Sequence, residues 1–175
     1  MEILFVCTGN LCRSPMAAAM LQSELARRGV RGVRVSSAGT WAGTGNPATP
    51  DAVAVLRGRD IDLSRHRSRP LDPEEVERAD LVVVMTSVHE REVLALCPEA
   101  AGKVVLLKEL AEMKVPADAR DPGARVRGLL ASPRPERLRR LDLDDPMGLP
   151  LSSYGRCAGE IEAGVLALAD ALTPP

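Results

Sequence analysis

Cys7 and Arg13 bracket Thr8-Gly9-Asn10-Leu11-Cys12, with Ser14 and Pro15 directly after them. Together these residue types suit one kind of chemistry. A thiolate is a strong nucleophile that forms covalent intermediates. A loop from Cys7 to Ser14 wrapped around one anion aims successive backbone N–H groups at it. A helix starting beside Arg13 adds its unsatisfied N–H groups and its positive dipole end. Gly9 frees the backbone for a positive φ or for close approach to the ligand. The same surroundings favour thiolate over thiol at Cys7. Arg13 offers a planar fork for two phosphoryl oxygens, a geometry lysine lacks. Ser14 is placed to hydrogen-bond the sulfur as it leaves a cysteinyl-phosphate. The sum is phosphoryl transfer through a thiol, with Thr8, Gly9, Asn10, Leu11, Cys12 and Ser14 forming the oxyanion cradle. A bare Cys-x5-Arg would as readily be a core cysteine beside a solvated arginine. Gly9, Asn10, Cys12, Ser14 and Pro15 at a strand-to-helix junction favour the chemical reading.

Such a loop needs a strand to deliver it and a helix to receive it. Ile3 to Val6 is an uninterrupted apolar run leading into a Gly-containing loop, which suits a strand buried on both faces. From Pro15 the period changes, with Ala17, Met20, Leu21 and Leu25 at helical spacing and Gly29 as the stop. Val33 and Val35 begin a second strand that ends at Ser36-Ser37-Ala38-Gly39. Thr49-Pro50-Asp51 starts a helix through Val53, Val55 and Leu56. Leu81 to Met85 reads as a third strand, rich in β-branched valines. A helix through Val93, Leu94 and Leu96 follows, and Val104 to Leu107 is the fourth strand. Tyr154, Cys157, Ile161, Val165, Leu168 and Leu172 form the apolar stripe of a last helix. Strands alternating with helices imply an α/β fold: a four-stranded parallel sheet with helices on both faces. The stretch 114–144, rich in Arg, Pro and Asp, is expected to be a long surface loop.

Composition narrows the classes. With 175 residues, 45% hydrophobic and 27% charged, the chain fits one soluble domain. A net charge of −1 marks no binder of nucleic acid or anionic membrane. Apolar runs are too short to span a bilayer. The first residues lack the basic flank of a signal peptide, so a cytoplasmic location is expected. The four cysteines, Cys7, Cys12, Cys97 and Cys157, are then expected as thiols. No His/Cys cluster has metal-site spacing, and no cofactor is called for. Aromatics are only 2%, namely Phe5, Trp41 and Tyr154, so an exposed one would be informative.

The run Val6-Cys7-Thr8-Gly9-Asn10-Leu11-Cys12-Arg13-Ser14-Pro15-Met16-Ala17 resembles the signature of the low-molecular-weight protein tyrosine phosphatase family. The likeness extends to Ser37-Ala38-Gly39, Leu81 to Met85, and Asp145-Pro146 before the last helix. The resemblance implies a phosphorylated protein as substrate and inorganic phosphate or a similar oxyanion as a ligand of the loop. It makes Cys7 the nucleophile, Arg13 the phosphoryl clamp and Asp145 the general acid. It also implies that Asn10, Ser14, Ser37 and His66 form a network that holds the loop. Asp121-Pro122 is the competing acid, but no recognisable element follows it, whereas Asp145-Pro146 precedes the last helix.

Departures from the family bear on substrate. Met147 stands where tyrosine-specific members often carry aromatics, which leaves Trp41 as the expected wall for a substrate ring. The basic stretch with Arg120, Arg125, Arg127, Arg134, Arg137, Arg139 and Arg140 reads as solvated loop rather than a dock for an acidic partner. Bacterial protein arginine phosphatases share Ala48-Thr49-Pro50, Met85-Thr86 with His89, and Asp-Pro followed by an apolar residue and Gly. They typically have Thr where this chain has Leu11. Leu offers apolar contact that suits a phenyl ring, so phosphotyrosine is favoured over phosphoarginine. A thiol-dependent arsenate reductase would need further cysteines after the third strand, and only Cys97 follows nearby. A non-enzymatic phosphate-binding module would have no use for a thiol nucleophile and a late acid.

Overall fold

A computed structural model describes residues 1–113, 121–134 and 141–173. The strands are β1 (Glu2–Cys7), β2 (Arg34–Gly39), β3 (Leu81–Val84) and β4 (Val104–Leu106). The helices are α1 (Arg13–Arg27), α2 (Pro50–Arg57), α3 (Pro73–Arg78), α4 (Ser87–Leu96), α5 (Pro122–Ala131) and α6 (Leu151–Leu172). The strands pair in the order β2-β1-β3-β4, all parallel, giving the expected four-stranded sheet.

The two-residue period of β1 divides the core. Ile3 and Phe5 join Met16 and Leu21 of α1 and Ile161, Val165 and Leu168 of α6 on one face. Leu4 and Val6 join Val82, Val84, Val76 of α3 and Val93 of α4 on the other. Both faces are covered, which is why the strands are apolar throughout. Chain order also places the site. β1 has β2 on one side and β3 on the other, so the connections leave its carboxyl end in opposite directions and open a crevice there. Gly39, opposite Cys7, fixes how close the walls come: a Cβ on it would lie 2.4 Å from Thr8 O and 2.9 Å from Asn10 N.

The structure departs from the sequence reading in two helices. α3 and α5 begin the same way, with Asp72 or Asp121 accepting from a first-turn N–H and Pro73 or Pro122 supplying the first helical φ. The expected loop over 114–144 includes Asp-Pro-Gly at 121–123, which instead starts α5, whose Val126 and Leu129 enter the core. Arg125 is buried, and its Nε donates to Ala171 O at the end of α6 at 2.5 Å. Arg127 is exposed, and Arg134 reaches the buried Glu109 at 3.6 Å. Arg120, Arg137, Arg139 and Arg140 lie outside the described residues. Leu141 and Leu143, at the end of the same stretch, are buried on opposite sides of the sheet. No helix among the described residues is long and apolar enough to cross a membrane.

Candidate active site

β1 ends at Cys7 and α1 begins at Arg13, so the chain turns within Thr8 to Cys12. Thr49, Asp72, Thr86 and Asp121 cap α2 to α5 through their side chains, but Cys12 gives α1 no such bond and its first turn holds no acid. The orphan N–H groups and positive end of α1 therefore face the loop unneutralised.

The residue that bends the loop is Asn10. Its φ is +53°, whereas Gly9 is not among the positive-φ residues, and a Cβ on Gly9 would only touch Leu11 at 3.6 Å. Of the two roles expected of Gly9, a positive φ or close approach to the ligand, the positive φ belongs to Asn10 instead, where a polar side chain with good local partners holds αL. Asn10 Nδ2 donates to Ser14 Oγ at 3.0 Å and to Ser37 Oγ at 2.9 Å. Its Oδ1 accepts from Arg69 N at 3.1 Å, and its carbonyl oxygen accepts from His66 Nε2 at 2.7 Å. Asn10, Ser14, Ser37 and His66 are thus brought into one network, with Asn10 at its centre. Burial lowers the His66 pKa, so the neutral Nε2–H form fits this bond.

Ser14 connects that network to the sulfur. Cys7 Sγ and Ser14 Oγ are hydrogen-bonded at 3.0 Å, and Ser14 Oγ also reaches Ala38 O at 3.3 Å. With Cys7 as thiolate, the hydroxyl proton can turn to the sulfur. Cys12 is a buried thiol whose pKa is pushed up to about 12, by burial first and then by the charges of Cys7 and Asp145. It donates to Asp145 Oδ1 at 3.8 Å. All four cysteines are free, and Cys157 packs in the core of α6.

Arg13 is only 4% exposed. Its Nη2 pairs with Asp145 Oδ2, its Nη1 donates to Leu143 O at 3.2 Å, and its buried Nε has no partner. A buried guanidinium whose Nε is left without a partner, beside a thiol and a helix N-terminus, is suited to hold an oxyanion. Asp145 is half-exposed and does not start a helix: its Oδ1 accepts from Met147 N at 3.1 Å, and Gly148 at φ +76° completes the turn. The Asp121 carboxylate, by contrast, accepts from Ala124 N at 2.9 Å as the cap of α5.

Trp41 is 78% exposed. Its backbone N donates to Thr8 O at 3.0 Å, which fastens it to the loop, while its indole Nε1 donates to Glu92 Oε1 of α4. The groove it lines, about 400 Å³, is completed by Thr40, Leu71, Glu92, Ala95 and Leu96 and contains no residue of the Cys7–Arg13 loop. Leu11 is half-buried beside Gly9, and its carbonyl accepts from Thr49 N, the cap of α2.

His89 was not among the expected site residues. Buried on α4, it bridges Thr8 Oγ1 and Thr86 Oγ1, each at 2.9 Å. Burial, and then the nearby charge of Arg13, pull its pKa down to about 4. Its signal in the sequence was Thr86 three residues before His89, a helix start whose first turn points back at the loop. Among the described residues no group of His, Cys, Asp and Glu side chains could hold a metal ion.

Comparison with known proteins agrees with this geometry. A family model described as low molecular weight phosphotyrosine protein phosphatase matches residues 2–132. The chain is 35% identical over 171 residues to a protein-arginine-phosphatase of Geobacillus stearothermophilus, covering 98% of this chain and 95% of that one. It is 44% identical over 113 residues to a probable low molecular weight protein-tyrosine-phosphatase, EpsP, of Ralstonia solanacearum, covering 65% and 74%. A solved YwlE arginine phosphatase, a Cys-to-Ser mutant with a phosphorylated active-site serine, superposes with a TM-score of 0.76 at 34% identity, covering 97% of this chain and 94% of that one.

Proposed function

The chain belongs to the low molecular weight phosphotyrosine protein phosphatase family and is a phosphatase; from that premise we propose that Cys7, Arg13 and Asp145 carry the hydrolysis of phosphotyrosine in proteins. The Cys7 thiolate attacks phosphorus while the bond to the tyrosyl oxygen breaks, and Asp145 protonates that oxygen so that a phenol departs rather than a phenolate. The backbone N–H groups of Thr8 to Ser14 and the Arg13 guanidinium hold the equatorial oxygens. Water then attacks the cysteinyl-phosphate, giving up a proton to Asp145 as the S–P bond breaks. The Ser14 hydroxyl donates to the departing thiolate, and inorganic phosphate leaves.

The observation that carries this reading is the arrangement of Arg13, with its Nε unpartnered and its Nη2 on Asp145. An arriving phosphoryl dianion competes for the guanidinium. As it takes Nε and Nη2, the Asp145 carboxyl is released from its pair with Arg13 and is free to turn to the leaving oxygen. Binding and the placement of the acid are thereby coupled through one side chain. Asp145→Asn is expected to lower kcat/KM on phenyl phosphate by about a hundredfold, and by much less on p-nitrophenyl phosphate, whose leaving group needs little help. Equal losses on both would remove Asp145 from the acid role.

Leu11, half-buried beside Gly9, supports an aromatic substrate; Trp41, whose groove contains no residue of the loop, does not add to that support. A second reading, phosphoarginine, is favoured by the similarity to an arginine phosphatase over 98% of the chain. Rates on matched phosphotyrosine and phosphoarginine peptides decide between them. Leu11→Thr is expected to raise phosphoarginine turnover relative to phosphotyrosine, and an unchanged ratio would show that Leu11 does not set specificity. Such a thiol enzyme suits a reducing, cytoplasmic compartment.

A further inference from the structure

The segment carrying Asp145 is anchored with more care than a surface turn requires. Asp142 grips the first turn of α4 with both carboxylate oxygens: Oδ1 accepts from Ser87 N at 2.7 Å and Oδ2 from Ser87 Oγ at 3.1 Å. Ser87 N is one of the orphan donors at the positive end of α4, so a carboxylate is favoured there. The next residue is held on both backbone groups, Leu143 N donating to Met85 O at 2.8 Å and Arg13 Nη1 donating to Leu143 O at 3.2 Å. Leu141 and Leu143, on either side of Asp142, enter the two opposite core clusters. His89 of the same turn, itself bonded to Thr86, holds Thr8 of the phosphate-binding loop. The first turn of α4 therefore touches both halves of the site, one through His89 and one through Asp142.

We propose that Asp142 is a positioning residue for the reaction: bound to Ser87, it fixes where Asp145, three residues on, stands relative to the leaving oxygen. The inference rests on Asp145 being the general acid. A proton donor acts only within hydrogen-bond reach of its target, and a misplacement of about 1 Å can cost about a hundredfold. Arg13 alone cannot set this distance once it turns to the phosphoryl group, because its bond to Asp145 is then given up. Asp142, Ser87 and Met85 take no part in that exchange, so their grip persists through the cycle.

The test compares kcat/KM on phenyl phosphate and on p-nitrophenyl phosphate for the parent protein, Asp142→Ala, Asp145→Asn and the double variant, together with competitive inhibition by inorganic phosphate. Asp142→Ala is expected to lose about tenfold or more on phenyl phosphate and about threefold or less on p-nitrophenyl phosphate, as an impaired general acid does. It should add less than about threefold on top of Asp145→Asn, since the two changes remove the same contribution. Phosphate inhibition should stay within about twofold, because the anion cradle is untouched. Equal losses on the two substrates, or losses that multiply fully in the double variant, would overturn the proposal. If Asp145→Asn itself shows no dependence on leaving group, the acid role fails first; if it does and Asp142→Ala does not, only the positioning role fails. Should Asp142→Ala not fold, Asp142→Asn, which keeps an acceptor for Ser87 N but gives up the charge, and Ser87→Ala, which removes only the hydroxyl, carry the same comparison. The pattern must then appear in both at reduced size.

Discussion

Arg13 carries a fork of N–H donors, and the protein satisfies only part of it: Leu143 O takes Nη1 and Asp145 takes Nη2, while the buried Nε is left over. An unpaired buried donor costs about 1–3 kcal/mol, a cost that a ligand supplying the acceptor would remove. Arg13→Ala should accordingly abolish phosphate inhibition as well as turnover. Cys7→Ser should lose turnover by about a thousandfold or more yet still bind phosphate, since the cradle of N–H groups survives it. Substantial activity in Cys7→Ser would defeat the covalent mechanism. Asn10 is the residue on which the cradle's shape depends. Asn10→Ala removes its buried hydrogen bonds to Ser14 and Ser37 and leaves alanine at φ +53°, so a stability loss of about 2 to 4 kcal/mol is expected by denaturant titration. Gly9→Ala should barely change stability, because its backbone is ordinary and its Cβ would find only Leu11 at 3.6 Å. A larger loss at Gly9 than at Asn10 would reverse this account of the loop.

At the level of elements, the sequence carried most of what positions the site. The apolar run before Cys7, the change of period at Pro15 and the valines of β3 each give one dominant physical signal, burial on both faces or on one stripe. Asp-Pro pairs were harder, because the same two residues serve opposite ends. At 72–73 and 121–122 the carboxylate caps a helix that proline begins; at 145–146 it accepts from Met147 N in a turn that leads nowhere helical until Leu151. Only the residues after each pair distinguish the two uses, and in α5 the buried Arg125 disguised an apolar face that Val126 and Leu129 complete. The long-range bonds of His89 and Asp142 were illegible for a different reason: their partners, Thr8 and Ser87, lie 81 and 55 residues away. The capping role of Asp121 is testable apart from the site. Asp121→Ala should lower stability by about 1 kcal/mol and leave kcat/KM unchanged. A catalytic defect in that variant, with Asp145→Asn active, would exchange the two aspartates.

At the level of the whole molecule, stability and the site are linked through the chain's two histidines. His89 is pulled from 6.5 down to about 4, chiefly by burial and then by Arg13, and His66 is lowered as well, chiefly by burial. In both, the folded state resists protonation more than the unfolded state does. Below pH 6.5 the unfolded chain therefore takes up protons that the folded chain refuses. Their contribution is intact above that pH and is lost as pH falls from 6.5 toward 4. Glu24, held down to about 2 first by its bond to Arg27, works in a lower window, beginning below its ordinary 4.5, so it does not mimic the effect. Denaturant midpoints should consequently fall between pH 7 and pH 5. Since His89 is the more strongly shifted of the two, His89→Gln should flatten most of that slope, whatever it does to stability at pH 7. Protonated His89 would also have to donate from both ring nitrogens to Thr8 and Thr86, so the strut between α4 and the phosphate-binding loop is altered in the same range. Bound phosphate stabilises only the folded state, and its protective shift should shrink toward pH 5 in the parent protein but less so in His89→Gln. Parallel pH curves for the two proteins would show that His89 does not carry the linkage and that acid lability arises away from the active site.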